Sequence, residues 1–179
     1  GSNKPAALTA LADAKLFLAA LADALVARSG RMNLDARRRK VAKYRDAARA
    51  ERARSGEDLE SDARVPMSEH RLIAEVRRFL PRDAIFVVDG NRILETVQQR
   101  MPSHVPVSRL TPGKNGCMGV GVPFGIGAKL AHPDRTVVVV TGDFAFGLNA
   151  MEMETAVRVR VPILVVVSNN DGNGGGRSE

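Results

Sequence analysis

The sequence has no tryptophan, one tyrosine and one cysteine, and each shortage excludes something. A single cysteine, Cys117, rules out an internal disulfide framework. With no Cys or His at ligand spacing around it there is no zinc reading either, and Cys117 is expected to be a small buried side chain. Aromatic residues make up 4% of the chain, too few to furnish the stacking platforms on which single-stranded nucleic acids lie. No apolar run approaches the roughly 20 residues of a membrane span, and the basic-then-apolar pattern of a leader is missing. The expectation is a cytoplasmic protein with neither nucleic acid nor membrane as partner.

What is present is a net charge of +7, and its distribution matters more than its size. Residues 28–54 hold 11 basic and 3 acidic side chains, an excess of 8, so the rest of the chain sums to −1. Arg37, Arg38, Arg39, Lys40, Lys43 and Arg45 sit on a helix-favouring stretch with a thin apolar stripe of Leu34, Val41 and Ala48. Tyr44 is alone there, so the segment reads as a solvated connecting helix or a surface for an anionic partner. Before it, Leu11, Leu18, Leu21 and Leu25 recur at helical spacing over residues 9–28, with Gly30 as a stop. After it, Ser55-Gly56-Glu57-Asp58 reads as linker, and Pro66 opens a different regime.

From Pro66 the pattern alternates strand and helix. Ser68 is a candidate N-cap for a helix over 69–79, Ile85 to Val88 form an apolar run stopped by Asp89-Gly90, and a helix follows over 91–100, with Asn91 as a candidate cap. Val137 to Val140 and Ile163 to Val167 give two more β-branched runs. Runs apolar at every position predict strands buried on both faces, hence an α/β fold with a parallel sheet flanked by helices. Residues 108–118 are expected to contain no strand.

Residues 136–173 read as one β-α-β unit: a strand through Thr141, a helix over 148–160, and a strand over 163–168 after Pro162. In such a crossover both strands run the same way, so Gly142-Asp143 and Asn169-Asn170 should emerge together in the crevice where open α/β sheets bind ligands. Asp143, Asn170 and the carbonyl of Gly172 are the oxygen donors that a magnesium ion shared with a diphosphate would take. Gly142 permits close approach of the backbone, and free N–H groups after Asp143 favour phosphate. Asn169 reads as a turn former, Glu152 and Glu154 as helix-surface residues, and His70, His104 and His132 as isolated surface residues.

Gly142-Asp143, Glu152, Glu154-Thr155, Pro162 and Asn169-Asn170 resemble the fingerprint of thiamine-diphosphate-dependent enzymes. Gly116-Cys117-Met118-Gly119-Val120-Gly121-Val122-Pro123 is similar to the segment that cradles the cofactor's aminopyrimidine in acetolactate-synthase-like members. The string from Asp143 through Phe144, Ala145, Phe146 and Gly147, with Met151 to Thr155, looks most like 2-hydroxyacyl-CoA lyases and oxalyl-CoA decarboxylases.

The resemblance implies thiamine diphosphate and Mg2+ as cofactors, with Gly116, Met118, Gly142, Asp143, Phe144, Ala145 and Asn170 binding the former and Asp143, Asn170 and Gly172 the latter. The Gly116 carbonyl would accept from the 4′-amino group, the Met118 N–H would donate to the pyrimidine, and the Met118 side chain would keep the cofactor bent. It further implies carbon–carbon cleavage or reverse condensation between an acyl-CoA and an aldehyde or ketone. The activating glutamate would come from a pyrimidine-binding domain of the same or a second subunit, in a homo-oligomer. Acetolactate synthesis and 2-oxoacid decarboxylation are the alternatives within the family, and a non-catalytic fragment needing a partner domain is the alternative outside it.

Asn3-Lys4-Pro5 and Asp13-Ala14-Lys15 resemble the exit from the family's middle domain, which divides the chain into a helical tail over 1–30, a basic helical linker over 31–64 and a C-terminally incomplete binding domain over 65–179. Phe144 departs from the family's usual Gly or Ser, so its ring is expected to point away from the diphosphate. The rival dinucleotide reading of Gly119-Val120-Gly121 fails on spacing, because the next glycine is Gly125 and no strand should precede the loop.

Overall fold

A computed structural model describes residues 5–54 and 61–172. The expected linker at 55–58, the resemblance at Asn3-Lys4 and the terminal glycines Gly174 to Gly176 lie outside the described residues. The chain divides into two compact units, Gly1–Ala53 and Arg54–Glu179.

In the first unit, helix α1 (Ala14–Ala27) starts where Asp13 accepts from Leu16 N at 3.0 Å, so the cap rather than the apolar pattern sets its beginning. Asn33 starts α2 (Leu34–Arg54) in the same way, accepting from Ala36 N at 2.9 Å. Among the described residues neither helix buries a side chain: Leu18, Leu21 and Leu25 on α1 and Leu34, Val41 and Tyr44 on α2 are all exposed. The Asp35–Arg38 pair on α2 is solvated on both sides and contributes little to stability.

The second unit begins with α3 (Glu69–Phe79), capped as expected by Ser68, whose hydroxyl accepts from Arg71 N at 3.2 Å. Then come β1 (Ile85–Asp89), α4 (Arg92–Arg100), β2 (Arg109–Leu110), a 3-10 turn at Gly113–Asn115, α5 (Gly121–Ala131), β3 (Val137–Gly142), α6 (Asp143–Asn149), α7 (Glu152–Arg158) and β4 (Leu164–Ser168). The sheet runs β2-β1-β3-β4 and is parallel throughout. Alternation along the strands splits the core in two. Phe86, Val88, Val138 and Val140 pack with Ile73, Ile93 and Val97 of α3 and α4, while Ile85, Val87, Val137 and Val139 pack on the other face with Ala128 of α5.

Three sequence expectations need correction. Arg109–Leu110 is a strand after all, short and at the sheet edge, where the Arg109 guanidinium sits over the Phe86 ring and donates to Met101 O. Eight residues still separate it from Gly119, so no phosphate loop follows it directly. Next, β4 is not buried on both faces: it is an edge strand, with Leu164 and Val167 more than a third exposed. Finally, the helix expected from 148 begins at Asp143 and is interrupted at Ala150-Met151, giving two seven-residue helices.

Close packing of α5 on the sheet depends on Gly125. A methyl there would lie 2.5 Å from Val139 Cγ2, on a stiff, fully buried side chain. Gly125→Ala should therefore destabilise the unit by roughly 1–3 kcal/mol, despite the gain of about 1 kcal/mol in helix propensity. Urea unfolding monitored by circular dichroism checks this, and an unchanged midpoint would show that α5 does not sit this close to β3.

Candidate functional site

Parallel pairing carries β1, β3 and β4 to a common edge. Asp89 lies opposite Thr141, and Gly142 opposite Ser168. The residues that follow these ends meet in one crevice, as the β-α-β reading requires. Of the predicted site residues, Met118, Gly142, Asp143, Phe144, Ala145, Asn170 and Gly172 line it. Gly116 stands outside the wall, at the end of the 3-10 turn in a left-handed conformation with φ 63° that favours glycine.

Gly142 is the N-cap of α6 and Asp143 its first residue, so the Asp143 carboxylate is free of capping duty. Its Oδ2 instead accepts from Gly172 N at 3.2 Å, across from the end of β4. The inward atom of the Asn170 amide lies 2.9 Å from Gly172 O and 3.3 Å from Asp143 Oδ1. With nitrogen inward the amide donates to both. Turned with its oxygen inward, the same amide would place an oxygen beside those of Asp143 and Gly172, the orientation that a bound cation would favour. In that orientation the three residues would offer one carboxylate, one amide oxygen and one carbonyl, hard ligands of the kind that Mg2+ takes. Among the described residues no three of His, Cys, Asp and Glu gather to offer a metal site of another kind.

The glycine segment beside Met118 is held by a residue that sequence reasoning treated only as a strand stop. Asp89 is 1% exposed, and its Oδ2 accepts from Gly119 N at 2.9 Å and from Gly121 N at 2.7 Å. Its signal in the sequence is a carboxylate at a strand's C-terminal end, but nothing there names the glycines it serves. The other wall of the crevice carries Glu69, whose carboxylate accepts from Thr96 Oγ1 at 3.2 Å and sits 4.0 Å from Arg92 Nε.

Other predicted residues fall as follows. Phe144 is among the residues that line the crevice and is 43% exposed. Asn91 occupies the cap position of α4 without making a side-chain cap bond. Cys117 is exposed, not buried, because it belongs to the outer turn between Gly116 and Met118 and not to the core. Asn169 forms the expected turn, accepting from Asp171 N at 2.9 Å. Glu154 pairs with Arg158 on the solvated face of α7. The three histidines are each half-buried rather than fully on the surface.

Residues 90–177 match the thiamine pyrophosphate enzyme family in its C-terminal TPP binding domain. This part of the chain belongs to that family. Among relatives, 2-hydroxyacyl-CoA lyase 1 of Dictyostelium discoideum is 46% identical over 76 residues, which are 42% of this chain and 13% of that protein. The acetolactate synthase large subunit of Mycobacterium tuberculosis is 39% identical over 97 residues, 54% of this chain and 18% of the relative. A thiamine diphosphate-dependent 4-hydroxybenzoylformate decarboxylase of Rhodococcus jostii superposes with a TM-score of 0.54 at 29% identity, covering 58% of this chain and 20% of that one. The chain thus spans at most a fifth of the length of these relatives. Both sequence strings behind the family assignment lie inside the matched residues.

Proposed function

We propose that this domain binds thiamine diphosphate through Mg2+ held by Asp143 Oδ1, Asn170 Oδ1 and the Gly172 carbonyl, and that the whole protein is a carbon–carbon lyase acting on 2-hydroxyacyl-CoA. The observation that carries the cofactor reading is the meeting of the Asp143 carboxylate, the Asn170 amide and the Gly172 carbonyl beside the first turn of α6. The N–H groups of Phe144 and Ala145, unpaired within the helix at its first turn, are the donors nearest to where a diphosphate would sit. When bound, the cofactor supplies the electron sink that cleavage beside an acyl-CoA carbonyl needs. The chain's own part is to hold the cation that neutralises the diphosphate, orient the cofactor, and wall the crevice with Met118 and Phe144.

Lyase rather than synthase is favoured by the local string from Asp143 to Gly147 with Met151 to Thr155, and by the higher identity to the Dictyostelium lyase. The glutamate that activates the cofactor belongs, on this reading, to a pyrimidine-binding domain of the same or a second subunit of a homo-oligomer. The test is to supply such a domain in trans with thiamine diphosphate and Mg2+, then follow release of aldehyde from a 2-hydroxyacyl-CoA. Acetolactate formed from pyruvate, with no aldehyde from the acyl-CoA, would overturn the lyase reading in favour of a synthase. Cofactor binding without either product would point to a non-catalytic module.

Met118 gives a narrower prediction. As an adaptable apolar side chain on the crevice wall, it keeps the two ends of the cofactor in place. In the reconstituted enzyme Met118→Ala should lower kcat by about tenfold to a hundredfold, the scale of a misplacement near 1 Å, and Met118→Leu should retain most of it. Equal kcat for the parent and both variants would show that the side chain has no such role.

A further inference from the structure

Gly119 is gripped from two sides by residues that belong to neither of the strings behind the family resemblance. Its N–H donates to Asp89 Oδ2 at the end of β1, and its carbonyl accepts from Asn149 Nδ2 at 2.5 Å, at the end of α6. The Gly121 N–H donates to the same Asp89 oxygen. Both positions are tight for anything larger than glycine. Gly119 has φ +90°, and a Cβ on it would meet Leu148 Cβ at 3.0 Å and Asn149 Nδ2 at 3.1 Å. A Cβ on Gly121 would meet Asp89 Cβ at 3.0 Å and Val139 Cγ1 at 3.1 Å. Asp89 itself cannot drift, since it is paired with Thr141, two residues before Asp143.

The consequence is geometric. One end of the clamp is fixed to the strand beside β3, and the other to the helix whose first residue is Asp143. The segment between them carries Met118, which lines the same crevice as Asp143 and Asn170. We propose that Asp89 and Asn149 are positioning residues that lock the Gly119–Gly121 segment to the sheet and to α6, and so set the spacing between the loop that receives the organic end of the cofactor and the oxygens that receive its diphosphate. The proposal rests on the cofactor reading above for its ligand, though the clamp exists without one.

The two residues should not respond alike to substitution. Asp89→Ala leaves two buried N–H groups without an acceptor. Asp89→Asn keeps an oxygen for both and places its amide where Oδ1 now has no partner. Asn149 is exposed, so Asn149→Ala removes one bond without opening the core.

The experiment compares parent, Asn149→Ala, Asp89→Asn and Asp89→Ala in the full chain, by amide exchange and by titration with two probes in Mg2+, thiamine diphosphate and inorganic diphosphate. For Asn149→Ala we expect exchange at Gly119 and Gly121 to accelerate about tenfold and thiamine diphosphate to bind about five- to tenfold more weakly, the scale of one hydrogen bond. Inorganic diphosphate should bind as to the parent. Asp89→Asn should fall between the parent and Asp89→Ala on both readouts. Unchanged exchange in Asn149→Ala would overturn the clamp, and equal weakening of both probes would reduce it to general support of the fold. A parent that protects these amides yet binds neither probe would overturn the cofactor reading and leave the clamp standing.

Discussion

Asp143→Ala is expected to weaken Mg2+-dependent binding of thiamine diphosphate by about a hundredfold or more, beyond the ten- to hundredfold typical of groups one shell further from a metal. The carboxylate is the only charged member of the donor set, and without it the Asn170 and Gly172 oxygens must hold a divalent ion as neutral ligands. The sign reverses when the metal is removed. In chelator, Asp143 is a negative charge facing a negative diphosphate, so the alanine variant should bind the cofactor as well as the parent or slightly better. Asn170→Ala should weaken binding in Mg2+ less than Asp143→Ala does, and leave binding in chelator unchanged. Calorimetric titration with and without Mg2+ separates these cases. An equal loss in both conditions would mean that Asp143 supports the fold and does not hold a cation.

Phe86→Ala should destabilise the second unit by about 3–5 kcal/mol, the cost of emptying an aromatic site in a packed core. Phe86 is fully buried on β1, in the cluster formed by α3, α4 and the central strands. Its ring also carries the Arg109 guanidinium at 5.7 Å. Since Arg109 is half of the two-residue strand β2, the loss reaches the sheet edge as well as the core. Set against a typical domain stability of about 5–15 kcal/mol, the variant should melt far below the parent, while Phe86→Leu should cost considerably less. Urea midpoints measure both, and a loss below about 1 kcal/mol for alanine would show that this cluster is not the centre of the core.

These expectations differ in how directly the sequence carries them. The valine runs of β1 and β3 were legible because a strand buried on both faces must be apolar at every position, and both strands have neighbours on each side. The same pattern misleads at β4, where the composition is equally apolar but the position is at the edge, which composition does not record. The start of α6 was hidden because Asp143-Phe144-Ala145-Phe146-Gly147 has no helical period.

Pairing Asp143 with Asn170 needed only the rule that parallel strands bring their C-terminal ends together. Asp89 and Asn149 were out of reach for a different reason. Their partners are backbone groups of glycines 30 to 32 positions away, and a backbone group leaves no mark in a sequence. Gly119 and Gly121 stand out in the sequence as a motif, but their close contacts come from the folded neighbours.

The most direct test of the whole account is a crystal structure with thiamine diphosphate and Mn2+ in place of Mg2+, in which anomalous scattering locates the metal. The account predicts a single peak at about 2 Å from Asp143 Oδ1, the Asn170 side-chain oxygen and the Gly172 carbonyl, with the diphosphate completing its coordination. A peak elsewhere, or an Asn170 amide that turns its nitrogen toward Asp143 with the cofactor bound, would contradict it.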